Sequence, residues 1–172
     1  VVGNPVRLPI LAVRERPYPE APAGGRLNLL IIGGSQGARV FGEVIPSAIS
    51  LLPPQLRSRL DVVHQVREEQ VEDAKAKYKV ANVSAEVAPF FKDMGQRLGA
   101  AHLVISRAGA SSVTELQVAG RPAILIPFAA AADDHQTANA EGLTAVGAAD
   151  LFTEAEFNAG ALAALLERRL AD

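Results

Sequence analysis

The stretch Leu103-Val-Ile-Ser-Arg-Ala-Gly-Ala-Ser-Ser-Val-Thr-Glu-Leu116 joins a short apolar segment to a helical pattern through a loop of small residues. The apolar segment predicts a buried strand, and Ser111 or Ser112 is placed to cap the helix. The small side chains of residues 106–110 let a backbone approach a ligand, and the helix directs its unpaired N–H groups into that loop. This arrangement suits a phosphate. Glu115 follows about one turn later, where it either complements the helix dipole or accepts hydrogen bonds from a sugar diol.

Strand-like apolar runs alternate with helical patterns along the chain. The strands are predicted at residues 27–32, 60–66, 83–87, 103–105, 123–126 and 149–152. The helices are predicted at residues 38–52, 68–78, 92–101, 111–119, 134–146 and 154–170, the last opening with the capping box Thr153-x-x-Glu156. This alternation is typical of an α/β fold, a doubly wound parallel sheet of Rossmann-like type with helices on both faces. Residues 1–25 are predicted to be a linker segment and residues 26–172 a single domain.

Composition limits the classes of protein and ligand to consider. The 172 residues have a formal net charge of -2, which gives no general attraction to nucleic acid, and the apolar share of 49% is that of a globular protein. No cysteine is present, so a disulfide framework and a thiolate metal site are excluded. No pair of histidines or carboxylates has metal-ligand spacing, and we predict no metal and no cofactor. The lack of cysteine and of a long apolar stretch predicts a soluble, cytoplasmic chain, and the start without Met suggests a fragment.

Three polar loops follow predicted strand ends, and their convergence at one edge of the sheet is the functional hypothesis: residues 33–37, 106–110 and 129–136. The first, Gly33-Gly-Ser-Gln-Gly37, has the spacing of a hydrolase nucleophile elbow, in which Ser35 would attack an acyl group. Too little chain precedes it for the earlier strands of that fold, and the only late histidine directly follows two aspartates. The other interpretations are a glycine-rich turn whose N–H groups face a phosphate, and a tight turn without a ligand.

Other residues near strand ends have a structural explanation beside a functional one. His64 and His102 are interpreted as ordinary histidines at the ends of strands. The segment Asp133-Asp-His-Gln136 has two interpretations: one of its aspartates caps a helix, or the segment contacts a ligand. The Gln136 side chain can both donate to and accept from sugar hydroxyls. Phe90-Phe91 is either a core pair or a surface for a planar base.

Several motifs, in one order along the chain, together resemble a known family. They are Gly3-Asn-Pro-Val-Arg7, Gly33-Gly-Ser-Gln-Gly-Ala38, His64-Gln65, Ser106-Arg-Ala-Gly-Ala110 with Glu115, Pro127-Phe128 and Asp133-Asp-His-Gln-Thr-Ala-Asn-Ala140. The chain resembles the C-terminal, donor-binding half of the MurG-type UDP-N-acetylglucosamine transferases of peptidoglycan synthesis. The resemblance implies the GT-B architecture of two Rossmann-like domains facing a cleft, with residues 1–25 as an interdomain linker and residues 26–172 as the UDP-sugar-binding domain. It also implies an inverting transfer of N-acetylglucosamine from UDP-N-acetylglucosamine to the lipid-linked muramyl-pentapeptide at the inner face of the plasma membrane.

The same resemblance implies roles for individual residues. Arg7 and Ser35 would contact the nucleotide, and the backbone at Phe91 would hold the uracil edge. Glu115 would bind the ribose hydroxyls, and His135 and Gln136 would reach the transferred sugar. The full set of implied donor-binding residues is Arg7, Gly34, Ser35, Phe91, Arg107, Gly109, Ala110, Ser111, Ser112, Glu115, His135 and Gln136. No catalytic residue is implied here, since the proposed general base and the acceptor surface belong to the N-terminal half, the missing partner domain.

The chain departs from the family pattern at two places. Val66-Arg67 stands where the family usually has a small hydroxyl residue and glycine, so no role is assigned to that turn. Residues 129–132 are alanines, where many relatives carry a histidine or another polar residue. Three alternative functions stay open from the residues: another GT-B UDP-sugar transferase such as a glycolipid synthase, a serine esterase using Ser35, and a scaffold domain without a ligand.

Overall fold

One parallel sheet of six strands organises the domain in the computed structural model, which describes residues 4–21, 23–34, 37–128 and 135–170. The strands are β1 (Leu27–Ile32), β2 (Leu60–Gln65), β3 (Ser84–Ala88), β4 (Leu103–Ser106), β5 (Ala123–Leu125) and β6 (Ala149–Leu151). Their spatial order is β3-β2-β1-β4-β5-β6, and every neighbouring pair is parallel. This order confirms the predicted doubly wound, Rossmann-like sheet.

Helices cover both faces of the sheet. They are α1 (Leu8–Leu11), α2 (Arg39–Ser50), α3 (Pro54–Arg57), α4 (Val71–Val80), α5 (Met94–Ala100), α6 (Ala110–Ala119), α7 (His135–Ala145) and α8 (Ala159–Leu170), with a 3-10 turn at Glu68–Gln70. None of the helices in the described part of the chain has the length and apolar character needed to cross a bilayer.

Two apolar cores, one on each face, explain why the central strands are mostly apolar runs. In β1, Leu29 and Ile31 pack into the core beneath α2 and α8, whereas Leu30 packs into the core of the opposite face. The central strand β4 divides in the same way, because Ile105 joins the first core and Val104 the second. Successive side chains of a strand point to opposite faces, so a strand buried on both sides has no polar alternation.

The last helix differs from its prediction. The capping box forms, with Thr153 Oγ1 accepting from Glu156 N at 3.4 Å and Thr153 N donating to Glu156 Oε2 at 3.3 Å. It closes a separate turn, and α8 begins only at Ala159, next to Asn158, whose Oδ1 accepts from Ala161 N at 3.0 Å. The predicted start at residue 154 is therefore wrong, because a second capping side chain four residues later starts the helix.

The segment before β1 packs on the domain. Ile10 and Val13 are each 1% exposed and belong to the core beneath α5 and α6. Farther along, the Tyr18 hydroxyl donates to the His102 carbonyl at 2.7 Å. A linker role for residues 1–25 stays a prediction, but its described residues include one helical turn and a buried apolar contact.

Candidate functional site

A cavity opens at the carboxyl ends of β1 and β4, where the strand order reverses. In doubly wound sheets this is where ligands bind. Its volume is about 1110 Å³, enough for a nucleotide-sugar. Residues of the predicted donor-binding set that line it are Arg7, Gly34, Phe91, Arg107, Gly109, Ala110, Ser111, Ser112, Glu115 and Gln136. Ser35 and most of the third loop, residues 129–134, lie outside the described residues.

The first loop leaves β1 as a turn built on glycine. Gly34 and Gly37 have φ angles of 81° and 67°, in the left-handed region that favours glycine. Gly37 N donates to the Gly34 carbonyl at 3.1 Å, which closes the turn before α2. Gly33 leaves no room for a side chain, since a Cβ there would lie 2.4 Å from Ala38 N. This close packing brings the backbone of the loop to the cavity wall.

The second loop ends in the start of α6. Gly109 is the N-cap, and no side chain among the described residues caps the helix. The prediction that Ser111 or Ser112 caps it is wrong, because α6 begins one residue earlier, at Ala110, and both serines lie within its first turn. The first intrahelical bond runs from Val113 N to the Gly109 carbonyl at 3.0 Å. The preceding N–H groups therefore have no helical partner and lie at the cavity wall, where they can meet an anion.

Glu115 is brought together with Arg7 from the other end of the chain. Arg7 Nε and Nη2 donate to Glu115 Oε1 and Oε2 at 2.7 and 2.8 Å. The hydrogen bond to the carboxylate raises the pKa of Arg7. The Glu115 side chain is 15% exposed. Each of its oxygens can still accept a second hydrogen bond, so the carboxylate remains able to bind a diol.

Arg107 joins the second loop to the end of β5. Its Nη2 donates to Glu154 Oε1 at 2.6 Å, and its Nη1 donates to the carbonyls of Ile126 and Pro127 at 3.2 Å. The guanidinium also lies over the Phe128 ring, 5.2 Å from its centroid. Glu154 and Phe128 line the cavity as well. Sequence reasoning missed Glu154, which carries no signal beyond its position near a predicted helix start.

Gln136 is the described residue of the third loop that lines the cavity. Its Oε1 accepts from Phe128 N at 3.0 Å, which leaves the side-chain nitrogen as a donor and one lone pair of the oxygen as an acceptor. That Gln136 both donates to and accepts from a sugar stays a prediction. His135 does not line the cavity and is exposed at the start of α7.

Phe90 and Phe91 separate at the cavity mouth. Phe91 is 6% exposed, and the Arg97 guanidinium stacks 4.2 Å from its ring centroid. Phe90 is 66% exposed. Phe91 is thus a core residue whose backbone borders the cavity, whereas Phe90 offers an open ring.

The two strand-end histidines have structural environments. His102 Nδ1 accepts from Asn28 N at 2.9 Å, and its Nε2 lies 3.3 Å from the Glu20 carbonyl. His64 is fully buried, with Nδ1 2.8 Å from the Tyr78 hydroxyl. Within the described ranges no three metal-ligating side chains cluster as a metal site would require.

Burial of His64 makes the stability of the fold depend on pH. Desolvation lowers the pKa of His64 to about 3, whereas a histidine in the unfolded chain titrates near 6.5. Between about pH 7 and pH 5 the unfolded state therefore gains a proton that the folded state does not. The free energy of unfolding should fall by about 2 kcal/mol across this interval. Urea unfolding at several pH values measures the decrease.

His64→Leu is the comparison variant for this pH dependence, since it removes the titrating group. It also removes the partner of the buried Tyr78 hydroxyl, which lowers the stability by the same amount at every pH of the interval. Its free energy of unfolding should be nearly flat over the same interval. Asp61, whose pKa the Arg26 hydrogen bond lowers, titrates below the interval and does not interfere. An equal decrease in both proteins would assign the pH dependence to other groups.

Comparison with known proteins agrees with this geometry. Residues 28–172 match the family described as the glycosyltransferase family 28 C-terminal domain. The chain belongs to this family. The match starts inside β1 and runs to the last residue, so it includes both described loops of the cavity.

Several relatives of this family 28 domain carry one name: UDP-N-acetylglucosamine--N-acetylmuramyl-(pentapeptide) pyrophosphoryl-undecaprenol N-acetylglucosamine transferase. The protein of Maricaulis maris (strain MCS10) is 52% identical over 172 residues, which are 100% of this chain and 47% of the relative. That of Rhodospirillum centenum (strain ATCC 51521 / SW) is 52% identical over 170 residues, 99% of this chain and 45% of the relative. The chain thus spans about half the length of these relatives.

A solved structure supports the same assignment. The crystal structure of Acinetobacter baumannii MurG superposes with a TM-score of 0.79 at 38% identity, covering 88% of this chain and 45% of that one. The resemblance to MurG-type transferases and the predicted C-terminal half of a GT-B fold are confirmed. The glycolipid-synthase and esterase alternatives gain no support from these comparisons.

Proposed function

We propose that this family 28 domain is the donor-binding half of a glycosyltransferase that moves N-acetylglucosamine from UDP-N-acetylglucosamine to the lipid-linked muramyl-pentapeptide. The relatives carry that activity in their names. The observation that carries the proposal is the placement of the glycine turn, the start of α6 and Glu115 around one cavity at the switch point of the sheet. A diphosphate needs N–H donors and a ribose needs an acceptor, and this cavity has both kinds of group.

Each part of the cavity suits one part of the donor. Unpaired N–H groups at Ala110 to Ser112 and the turn around Gly34 face the diphosphate. Glu115 accepts from the ribose hydroxyls, and the backbone near Phe91 borders the base. Gln136 donates to an oxygen of the transferred sugar. Ser35 and His135 remain predicted contacts of the nucleotide and of the sugar, respectively.

The contribution of this half to the reaction is electrostatic. Bond cleavage leaves negative charge on the departing UDP, and fixed N–H dipoles directed at the diphosphate stabilise that charge. The general base and the acceptor site would belong to an N-terminal half, which acts as partner domain. We place the complete enzyme at the inner face of the plasma membrane, as a peripheral protein. The chain by itself should bind donor with little or no turnover.

Titration of the chain with UDP-N-acetylglucosamine, followed by calorimetry, tests the donor site. Glu115→Gln should weaken binding by roughly 10- to 100-fold, because hydrogen bonds to a charged acceptor contribute about 1.5–3 kcal/mol. The parent should also prefer UDP to its 2′,3′-dideoxy analogue, and the variant should lose that preference. This loss is specific to a carboxylate that meets the ribose.

Glu43→Gln is the matched control, since Glu43 also lines the cavity and, like Glu115, holds an arginine at 2.7 Å, but its side chain is 50% exposed and its partner Arg39 is a neighbour on the same helix. Its donor affinity should stay within about twofold of the parent, as for a surface ion pair. Undetectable binding of UDP-N-acetylglucosamine by the parent would contradict the proposed function. If the parent and Glu115→Gln prefer UDP to its 2′,3′-dideoxy analogue by the same factor, Glu115 does not bind the ribose hydroxyls.

A further inference from the structure

We propose that Arg67 is an additional ligand for the diphosphate of the donor, an inference that rests on the proposed function. Arg67 follows the end of β2, which neighbours β1 in the sheet. It lines the same cavity as Gly33 and Gly34 and packs against Gly37, where an added Cβ would lie 3.0 Å from Arg67 Cγ. The side chain therefore lies beside the turn whose backbone faces the phosphates.

Arg67 differs from the other arginines of the cavity in how its charge is compensated. Arg7, Arg39 and Arg107 each hold a carboxylate at 2.7, 2.7 and 2.6 Å, respectively. The nearest carboxylate oxygen to Arg67 belongs to Glu69 and is 3.9 Å away, beyond hydrogen-bond distance. Among the cavity-lining arginines in the described part of the chain, Arg67 is thus the one without a short ion pair.

The Arg67 guanidinium also has a donor without an acceptor. Its Nε is buried and has no hydrogen-bond partner among the described residues, although the side chain as a whole is 40% exposed. A buried N–H group of a cation is costly to leave unpaired, and a bound acceptor would remove that cost. The exposed part of the side chain is where an acceptor meets the guanidinium first, and a rotation of the side chain is needed to bring Nε to it.

A phosphate is the acceptor that fits these two observations. The planar guanidinium presents its N–H groups as a fork that matches two phosphate oxygens, and its charge opposes that of the diphosphate. A ribose or a uracil would satisfy the hydrogen bonds but not the charge. Arg67 therefore acts as a binding residue for the phosphates, at a turn for which the family resemblance predicted no role.

Binding of UDP and of uridine to Arg67 variants tests this assignment, since uridine has the base and ribose but no phosphate. Arg67→Gln should weaken UDP binding about tenfold or more, because a charge-assisted fork is lost, and should leave uridine binding within about twofold. Arg67→Lys should fall between parent and Arg67→Gln, because it keeps the charge and loses the fork. Chemical-shift titration covers the weak uridine complex, and circular dichroism verifies the fold of each variant.

Arg39→Gln is the control, because this arginine lines the cavity but already holds Glu43. It should leave UDP affinity nearly unchanged. The assignment is overturned if Arg67→Gln binds UDP like the parent, if it weakens UDP and uridine equally, or if Arg39→Gln has the same effect. A parent that binds UDP-N-acetylglucosamine while Arg67→Gln shows no defect refutes this inference alone. A parent that binds no UDP-sugar refutes the proposed function.

Discussion

Gly33→Ala is expected to reduce the affinity for UDP-N-acetylglucosamine by roughly a hundredfold or more, the value of two charge-assisted hydrogen bonds. A Cβ at Gly33 would lie 2.4 Å from Ala38 N and 3.0 Å from Gly37 Cα. Both neighbours are backbone atoms, so the turn and the start of α2 have to move, which displaces the N–H groups proposed to face the phosphate. Calorimetric titration measures the affinity, and urea unfolding should show a loss of about 1–3 kcal/mol from overpacking.

Gly142→Ala separates this effect from the general consequence of replacing glycine. Gly142 lies in the interior of α7, and an added Cβ would meet only Gln117 Nε2, at an ordinary distance of 3.8 Å. This variant should keep the donor affinity of the parent and gain up to about 1 kcal/mol of stability, the helix preference of alanine over glycine. Normal donor binding by Gly33→Ala would show that the turn does not hold the diphosphate.

The fold was predictable because its central strands β1, β4 and β5 are buried on both faces. A run such as β1 has no polar alternation, and the glycine turn after it marks the strand end within one residue. Helix starts were less predictable, since they depend on which of several capping side chains the tertiary structure uses. Thr153 and Asn158 both can cap, and only the packed structure shows that Asn158 is beside α8.

The sequence predicted which loops meet at the cavity, but not which side chains form ion pairs there. The loops after β1 and β4 were expected to meet because carboxyl ends of neighbouring parallel strands share an edge. The ion pair between Arg7 and Glu115 joins residues 108 positions apart, and no local pattern encodes such a contact. The same applies to Arg67, whose unpaired Nε is a consequence of its surroundings.

Arg121 holds the segment before β1 on the domain, and its site is almost closed to water. Arg121 as a whole is only 3% exposed. Its Nε donates to the Leu98 carbonyl at 3.1 Å, and its Nη2 donates to the carbonyls of Gly99 and Pro17 at 2.9 and 3.4 Å. Burial lowers the pKa of Arg121. The Gly99 carbonyl at the end of α5 therefore depends on this guanidinium for its hydrogen bond, whereas the Leu98 carbonyl also accepts from Ala101 N at 3.3 Å.

Arg121→Met should destabilise the chain by about 2 kcal/mol, because it leaves the Gly99 carbonyl unpaired, at a cost of about 1–3 kcal/mol, and removes one of the two hydrogen bonds to the Leu98 carbonyl. The melting temperature should fall by roughly 4–8 °C for a domain of this size. Loss of the Pro17 contact should also expose the preceding segment, so that trypsin cleaves after Arg14 faster than in the parent. Thermal unfolding and the rate of tryptic cleavage measure the two effects.

Arg168→Met is the matched control, since Arg168 is an exposed arginine in the last turn of α8. It should change stability by less than about 0.5 kcal/mol, as surface substitutions usually do, and should not alter cleavage before β1. A small effect of Arg121→Met would mean that water enters the site and replaces the lost donors. Slow cleavage combined with a large loss of stability would show that Ile10 and Val13 hold the segment without help from Arg121.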